Sequence, residues 1–276
     1  MYKVFDVHTH TYPEAISRKA CENLGKFYNF DVLGKGTYAD LEAQAESNNV
    51  GGYLLFSVAT NSHQVEKVNS SIAELVKLSR SHGFKTYGFA GMYQDYPDFE
   101  GEINRAVSLG LCGVKLHPDI QMVDITDRRL YPLYELMEAR GLPIYFHMGD
   151  DRPEYRYSEA DKLIAVLRDF PHLSVVAAHL GGYKAWDDAV PKLAGRENIR
   201  YDTSSALWAM SPESASQIIS KLGAENVMFG TDYPVMNTHE ELERFFRLQL
   251  TDKEREDILW NNAMDFLSYA DELISK

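Results

Sequence analysis

Eight short apolar segments alternate with helix-period stretches along all 276 residues, and the strand-like segments are apolar nearly throughout. Strands covered on both faces read this way, and eight such units in strict alternation predict an α/β protein, a (β/α)8 TIM barrel in a single domain over residues 1–276. A third observation supports the barrel. Histidines and aspartates collect at the C-terminal ends of the segments, where barrel enzymes build their sites.

In chain order the strand candidates are "YKVFDVH", "GGYLLFSVA", "KTYGFAGM", "CGVKLH", "PIYFHMG", "LSVVAAH", "IRYDTS" and "NVMFGTD". The helical stretch "YADLEAQAESNN" precedes the second. "QVEKVNSSIAELVKLSRSH" and "FEGEINRAVSLG" flank the third. "RRLYPLYELMEARG" precedes the fifth and "SEADKLIAVLRDF" the sixth, while "GYKAWDDAVPKLAG" and "SPESASQIISKLG" flank the seventh. "HEELERFFRLQL" and a long "TDKEREDILWNNAMDFLSYADELIS" close the chain. Gly83, Gly110, Gly141, Gly195 and Gly223 follow helical stretches, where a left-handed cap is wanted. A doubly wound open sheet is the competing architecture, but "HTHTYPE" stands where its Gly-rich nucleotide turn would be.

Composition narrows the function. The net charge of −13 argues against a nucleic-acid partner and against an anionic membrane surface. It leaves room for a small anionic substrate in a locally basic pocket. The two cysteines, Cys21 and Cys112, form neither a disulfide framework nor a CxxC site and read as buried free thiols. "MYKVFDVHTH" has no secretory pattern, and no apolar run reaches membrane-span length, so a cytoplasmic location is expected.

Five of the nine histidines end predicted strands: His8 and His10 on the first, His117 on the fourth, His147 on the fifth and His179 on the sixth. Core packing gives no reason for that. The others, His63, His82, His172 and His239, scatter. Strand alternation points His8 and His10 the same way. Lys115 shares a face with His117, while Asp202 and Asp232 end the seventh and eighth strands. Imidazole with carboxylate suits a borderline divalent ion such as zinc, and three or four protein ligands with an open position make a catalytic site.

The first-strand HxH, the single histidines on the fifth and sixth strands and the eighth-strand aspartate resemble the amidohydrolase superfamily of metal-dependent hydrolases. "GTDYP", "AHLGG" and "WNNAMDFL" are similar to its amidohydrolase-related branch, which includes the aminocarboxymuconate-semialdehyde decarboxylase-like enzymes. The likeness runs from Asp6 to about Leu267. It implies that His8, His10, His147 and Asp232 hold a divalent ion, one Zn2+ in the first instance, with Mn2+ or a two-ion site as alternatives. It makes Asp232 and His179 the catalytic residues. With one ion, Lys115 and His117 contact substrate; with two, Lys115 is a carboxylated bridge and His179 a ligand. A homodimer is the assembly the family implies.

The loop "HMGDDRPEYRYS" offers Arg152 and Arg156 to a substrate carboxylate, with Tyr155 and Tyr157 beside them; a solvated loop arginine is the plain alternative for each. "TYPEAISRKACENLGKFYNF" and "AGMYQDYP" add aromatic residues at the barrel mouth. Trp186 and Trp208 read as packing under loops, and Asp202 as orienting a neighbour. The leading expectation is a metal-dependent hydrolase of a small amide, lactone or ester using metal-activated water. The alternative is a non-oxidative decarboxylase of a small unsaturated or aromatic carboxylic acid on the same site. A metal-free lactonase and a non-catalytic binding barrel stand behind both.

Overall fold

The computed structural model describes residues 2–274. Its strands are β1 (Val4–His10), β2 (Val50–Phe56), β3 (Lys85–Gly88), β4 (Ala90–Gly91), β5 (Val114–Leu116), β6 (Ile144–Phe146), β7 (Val175–Ala177), β8 (Ile199–Asp202) and β9 (Val227–Met228). Every pairing is parallel, in the order β1-β2-β3 and β4 through β9. β3 and β4 are one stave broken at Phe89, so nine segments make eight staves. Across the break Phe89 N donates to Leu55 O at 3.0 Å and Ala90 N to Gly113 O at 2.8 Å. The ring closes where Val7 N donates to Phe229 O at 2.9 Å, His10 N donates to Tyr233 O at 2.7 Å, and Thr9 bridges Tyr233. The (β/α)8 barrel expected from the alternation is therefore the fold.

β1 departs from a plain strand. Asp6 pairs with Tyr53 but Thr9 with Leu55, so three steps on β1 face two on β2. The extra residue is a bulge, which resets the alternation. Phe5 and Val7 join the core inside the barrel, with Leu54, Phe56, Phe89, Tyr145, Val176 and Met228. Above them the His8 ring still packs against the same Phe56 and Tyr145 rings.

The long C-terminal helix expected over 251–275 is interrupted. Asp252–Glu256 opens on a Thr251/Glu254 capping box, Asp257–Asn261 forms a π turn, and Asn262–Phe266 and Ser268–Ile274 follow. At the π turn the Ile258 carbonyl accepts from Phe229 N at 2.9 Å, so a group the helix would use serves the barrel wall instead. Ala263, Leu267 and Ala270 then plug the barrel floor. The five expected cap glycines all have positive φ.

The segment after β1 is more ordered than a rim loop. It forms α1 (Glu14–Tyr28) and α2 (Tyr38–Ser47). α1 ends at Asn29 in the left-handed conformation and brings Tyr28 over the barrel mouth. Cys112 is buried as expected, whereas Cys21, on α1, is only half-buried. Among the described residues no helix is long and apolar enough to cross a membrane.

Candidate metal centre

Parallel strands end in a ring, and the residues just past their last ladder bonds turn inward there. His117 and His147 directly follow β5 and β6; His179 comes two residues after β7. His8 and His10 lie within β1, and Asp232 follows β9 with φ 63°.

Three of these meet closely. His8 Nε2 is 3.2 Å from His10 Nε2 and 3.2 Å from Asp232 Oδ1, which is 3.7 Å from His10 Nε2. Ligands at bond lengths near 2.0–2.1 Å on a tetrahedral ion stand about 3.4 Å apart. The spacing, the two imidazole nitrogens and the carboxylate all fit a divalent ion. The other Asp232 oxygen accepts from Ser205 Oγ at 2.6 Å, which leaves Oδ1 free to face the centre.

His8 is oriented from behind. Its Nδ1 lies 3.1 Å from Asp202 Oδ2 and 2.8 Å from Ser204 Oγ. A carboxylate holding the far nitrogen of a ligating histidine fixes ring and tautomer. Asp202 also accepts from the Tyr145 and Ser204 hydroxyls, from Ser204 N at 2.8 Å and from His179 N at 3.1 Å. His179 has φ 60°, a conformation that costs a non-glycine residue about 1–3 kcal/mol. Its N–H on Asp202 and its carbonyl on Trp186 Nε1, at 2.8 Å, hold it there.

The electrostatics follow from burial. Desolvation lowers His10 well below the usual imidazole range, with His8 adding to it. His147 and His179 are both pushed down to about 3, by burial first, then by Lys115 on His147 and by His147 on His179. His8 goes the other way: burial and Lys115 pull it down, but Asp232 and Asp202 outweigh them and raise it. For Asp232, burial works upward and His8 overrides it, leaving the carboxyl well below its ordinary range.

His147 does not join the group of His8, His10 and Asp232. Its Nδ1 is 2.9 Å from His179 Nε2, and its Nε2 is 3.1 Å from Asp119 Oδ2. The ligand atoms that converge around it come from His117 and Asp119 instead. Lys115 is fully buried beneath the histidines. Its Nζ is 3.3 Å from His8 Nε2 and lies over the Phe56 and Tyr145 rings, and burial lowers it to about 8.

A cavity of about 250 Å³ sits on this floor. His10, His117, His147 and Asp232 form its base, and Tyr12, Leu24, Phe27, Tyr28, Val58 and Val235 its apolar walls. Lys115, Arg152 and Arg156 do not line it. Arg152 is already engaged: it pairs with Asp150 at 2.6 Å, donates to Phe27 O at 2.5 Å and lies over the Phe27, Tyr28 and Tyr155 rings. It fastens the end of α1 to the loop after β6. Arg156 pairs with Glu159 at 2.6 Å on the exposed side of that loop. Trp186 is half-buried and bonded to the His179 carbonyl, while Trp208 packs against Phe30 and Tyr183.

Sequence reasoning placed the segment that carries Tyr28 at the barrel mouth without singling Tyr28 out, and it passed over Asp119. Tyr28 arrives from α1, 18 residues after His10, and no spacing rule links it to His117. Asp119 had a signal: it stands two residues after His117 in "LHPD", on the same inward turn.

Residues 5–268 match the protein-family model described as Amidohydrolase. Over 243 residues the chain is 25% identical to the 2-amino-3-carboxymuconate-6-semialdehyde decarboxylase of Caenorhabditis elegans, covering 63% of this chain and 59% of that protein. The chain thus spans less than two thirds of that relative's length. In structure it is similar to an uncharacterized TIM-barrel protein from Bordetella bronchiseptica, with TM-score 0.77, 20% identity and coverage of 98% and 99% of the two chains. It is also similar to a dihydroxybenzoic acid decarboxylase from Polaromonas sp. JS666, solved with bound manganese and the inhibitor 2-nitroresorcinol. There the TM-score is 0.69, with 15% identity and 97% of each chain covered. At these identities the structural likeness speaks for the fold.

Proposed function

Since the chain belongs to the amidohydrolase family, we propose that it is a metal-dependent, non-oxidative decarboxylase of a small unsaturated or aromatic carboxylic acid. This reverses the order of the two readings drawn from the sequence. The observation that carries it is the cavity: about 250 Å³, walled by aromatic and aliphatic side chains, over a base of neutral imidazoles and Asp232. That is below the roughly 300–1,000 Å³ of drug-sized pockets, so it suits one small planar acid. The curated relative and the manganese-bound neighbour are both named as decarboxylases, which supports the same reading.

His8, His10 and Asp232 would hold the divalent ion, zinc or manganese. When bound, such an ion supplies positive charge that polarises oxygen atoms of the substrate. The protein supplies the rest. Tyr12, Phe27 and Tyr28 exclude water and hold the substrate plane against the base. In the reaction the bond between the carboxylate carbon and its neighbour breaks, its electron pair stays on the neighbour, and carbon dioxide leaves. A dry site favours this, because the localised carboxylate charge is lost. The carbon then takes a proton. That proton is drawn from solvent, and Asp232 and His147, backed by His179 through the 2.9 Å contact, border the cavity where it must pass.

The test is product analysis with manganese-loaded protein on a panel of small hydroxybenzoic and unsaturated acids, beside a panel of lactones, esters and amides. Carbon dioxide from an acid supports the proposal. Water consumed by a lactone, ester or amide, with no carbon dioxide from any acid, overturns it and returns hydrolysis to first place.

A further inference from the structure

Tyr28 carries a polar group from the roof onto the cavity base. It closes α1, and its hydroxyl oxygen lies 3.0 Å from His117 Nε2 and 3.4 Å from His147 Nε2. The ring has little freedom. It stacks on Phe30 with centroids 5.4 Å apart and planes at 7°, and it meets the Phe27 ring edge-on at 4.8 Å. The Arg152 guanidinium covers it at 5.0 Å. Its hydroxyl is therefore in place before any substrate arrives.

The hydrogen-bond directions show what that hydroxyl has to offer. The Ile120 N–H points at His117 Nδ1 from 3.4 Å. The contact is long, but a backbone N–H cannot turn away, and a second hydrogen on Nδ1 would meet it head-on. His117 therefore carries its hydrogen on Nε2 and donates it to the Tyr28 oxygen. The Tyr28 hydrogen must then go elsewhere. Among the described residues its other partner is His147 Nε2, at 3.4 Å, longer than the roughly 2.7–3.2 Å of an ordinary bond. A hydroxyl rotates, so this hydrogen is free to turn to a better acceptor in the cavity that Tyr28 lines.

We propose that Tyr28 selects the substrate: its hydroxyl donates a hydrogen bond to an oxygen that the acid carries besides its carboxylate, a hydroxyl or a carbonyl. The acid class rests on the decarboxylase reading above, and the donor assignment rests on the geometry. A bare acid of similar size leaves the hydroxyl with its long contact to His147. An amino group in place of the oxygen brings hydrogens where an acceptor is wanted. Selection comes from these mismatches as much as from the bond itself.

The experiment measures binding. Isothermal titration of manganese-loaded protein compares benzoate with 3- and 4-hydroxybenzoate, whose ring oxygens are too far from the carboxylate for both to chelate one ion. The aminobenzoate that matches the tighter of the two is the third probe. The tighter hydroxybenzoate should bind about 3- to 10-fold better than benzoate, the net worth of one hydrogen bond, and the aminobenzoate should show no gain. Tyr28→Phe, its fold checked by circular dichroism, should erase the hydroxybenzoate gain and leave benzoate within about twofold. The hydroxy-to-amino comparison needs no variant. A gain shared by the aminobenzoate, a gain that survives in Tyr28→Phe, an equal loss for every acid in that variant, or no binding by any acid overturns the proposal. A wrong reaction would show differently: no acid would release carbon dioxide, while the hydroxyl preference and its loss in Tyr28→Phe persisted.

Discussion

Asp202 is the residue on which the His8, His10 and Asp232 centre turns, and Asp202→Asn is the sharpest way to ask whether that is so. The substitution keeps the side-chain shape and one oxygen. If that oxygen takes the Oδ1 place, the bonds from Ser204 N and His179 N survive, at 2.8 and 3.1 Å in the present structure. The new amide then points its N–H groups at His8 Nδ1 and the Tyr145 hydroxyl. Tyr145 can rotate to accept. His8 can accept only by moving its proton to Nε2, the nitrogen 3.2 Å from both His10 and Asp232. A protonated Nε2 cannot ligate. Loss of such a supporting group costs about 10- to 100-fold in metal affinity, or about 1.4–2.7 kcal/mol. Losing one charge-assisted hydrogen bond takes a further ~1.5–3 kcal/mol from folding stability. Isothermal titration with Mn2+ near neutral pH reads the first effect and denaturant unfolding of the metal-free protein the second. Mn2+ affinity within about twofold of the unaltered chain, in a folded Asp202→Asn protein, would refute the claim that Asp202 sets the His8 tautomer.

The other predictions concern separate parts of the site. His10→Ala should lose the ion at His8 and Asp232 along with activity, whereas His179→Ala should keep that ion and lose about 10²- to 10⁴-fold in kcat, because it breaks the proton path that runs through His147; equal metal loss in both variants would contradict the assignment. Arg152→Ala should destabilise the fold by about 2–4 kcal/mol, because it strands the buried Asp150 carboxylate. Adding Asp150→Asn should recover part of that loss, and additive losses in the double variant would show that the pair is not coupled. Lys115 is fully buried, and desolvation lowers it to about 8 from 10.5. The unfolded chain therefore binds the extra proton between those values, so stability falls as pH drops from 10.5 towards 8 and stays reduced below. Metal-free Lys115→Met should be more stable than the unaltered chain by about 3 kcal/mol at neutral pH, a gap that closes on raising the pH past 10; a pH-independent gap would refute the buried-charge explanation.

The barrel and its histidine ring were legible because both are periodic signals. Alternation set the staves, and the chemistry at strand ends could be read without knowing any contact. His8, His10 and Asp232 were found this way from opposite ends of the chain. His147 shows the limit. Its place at the end of β6 was readable, but which neighbour its nitrogens meet depends on the Ser204 carbonyl and on Asp119, both set by tertiary packing. Arg152 fails for a different reason. A loop arginine next to aromatic residues reads as a carboxylate clamp, yet Asp150, two residues earlier, and the Phe27 carbonyl on α1 take its donors. The bulge in β1 and the π turn at Asp257–Asn261 were equally hidden, since each is fixed by a partner strand or loop rather than by its own sequence.

These placements divide the work between floor and roof. The floor is built from strand ends, so the barrel fixes it: imidazoles, Asp232 and, beneath them, Lys115. The roof comes from the segment between β1 and β2, where Leu24, Phe27 and Tyr28 on α1 face the cavity. Arg152 latches that roof by its bond to Phe27 O and its stacking on Phe27 and Tyr28. Among the described residues no lysine or arginine lines the cavity. An acid entering it finds no side-chain cation to hold its carboxylate, and every wall above the base is neutral. Positive charge for the carboxylate would come from a divalent ion held at the base by His8, His10 and Asp232. On the decarboxylase reading proposed above, such an acid would lie with its carboxyl end down on the base and its apolar body against Phe27 and Tyr28. The shape of α1, rather than the histidine ring, would then decide which acids fit.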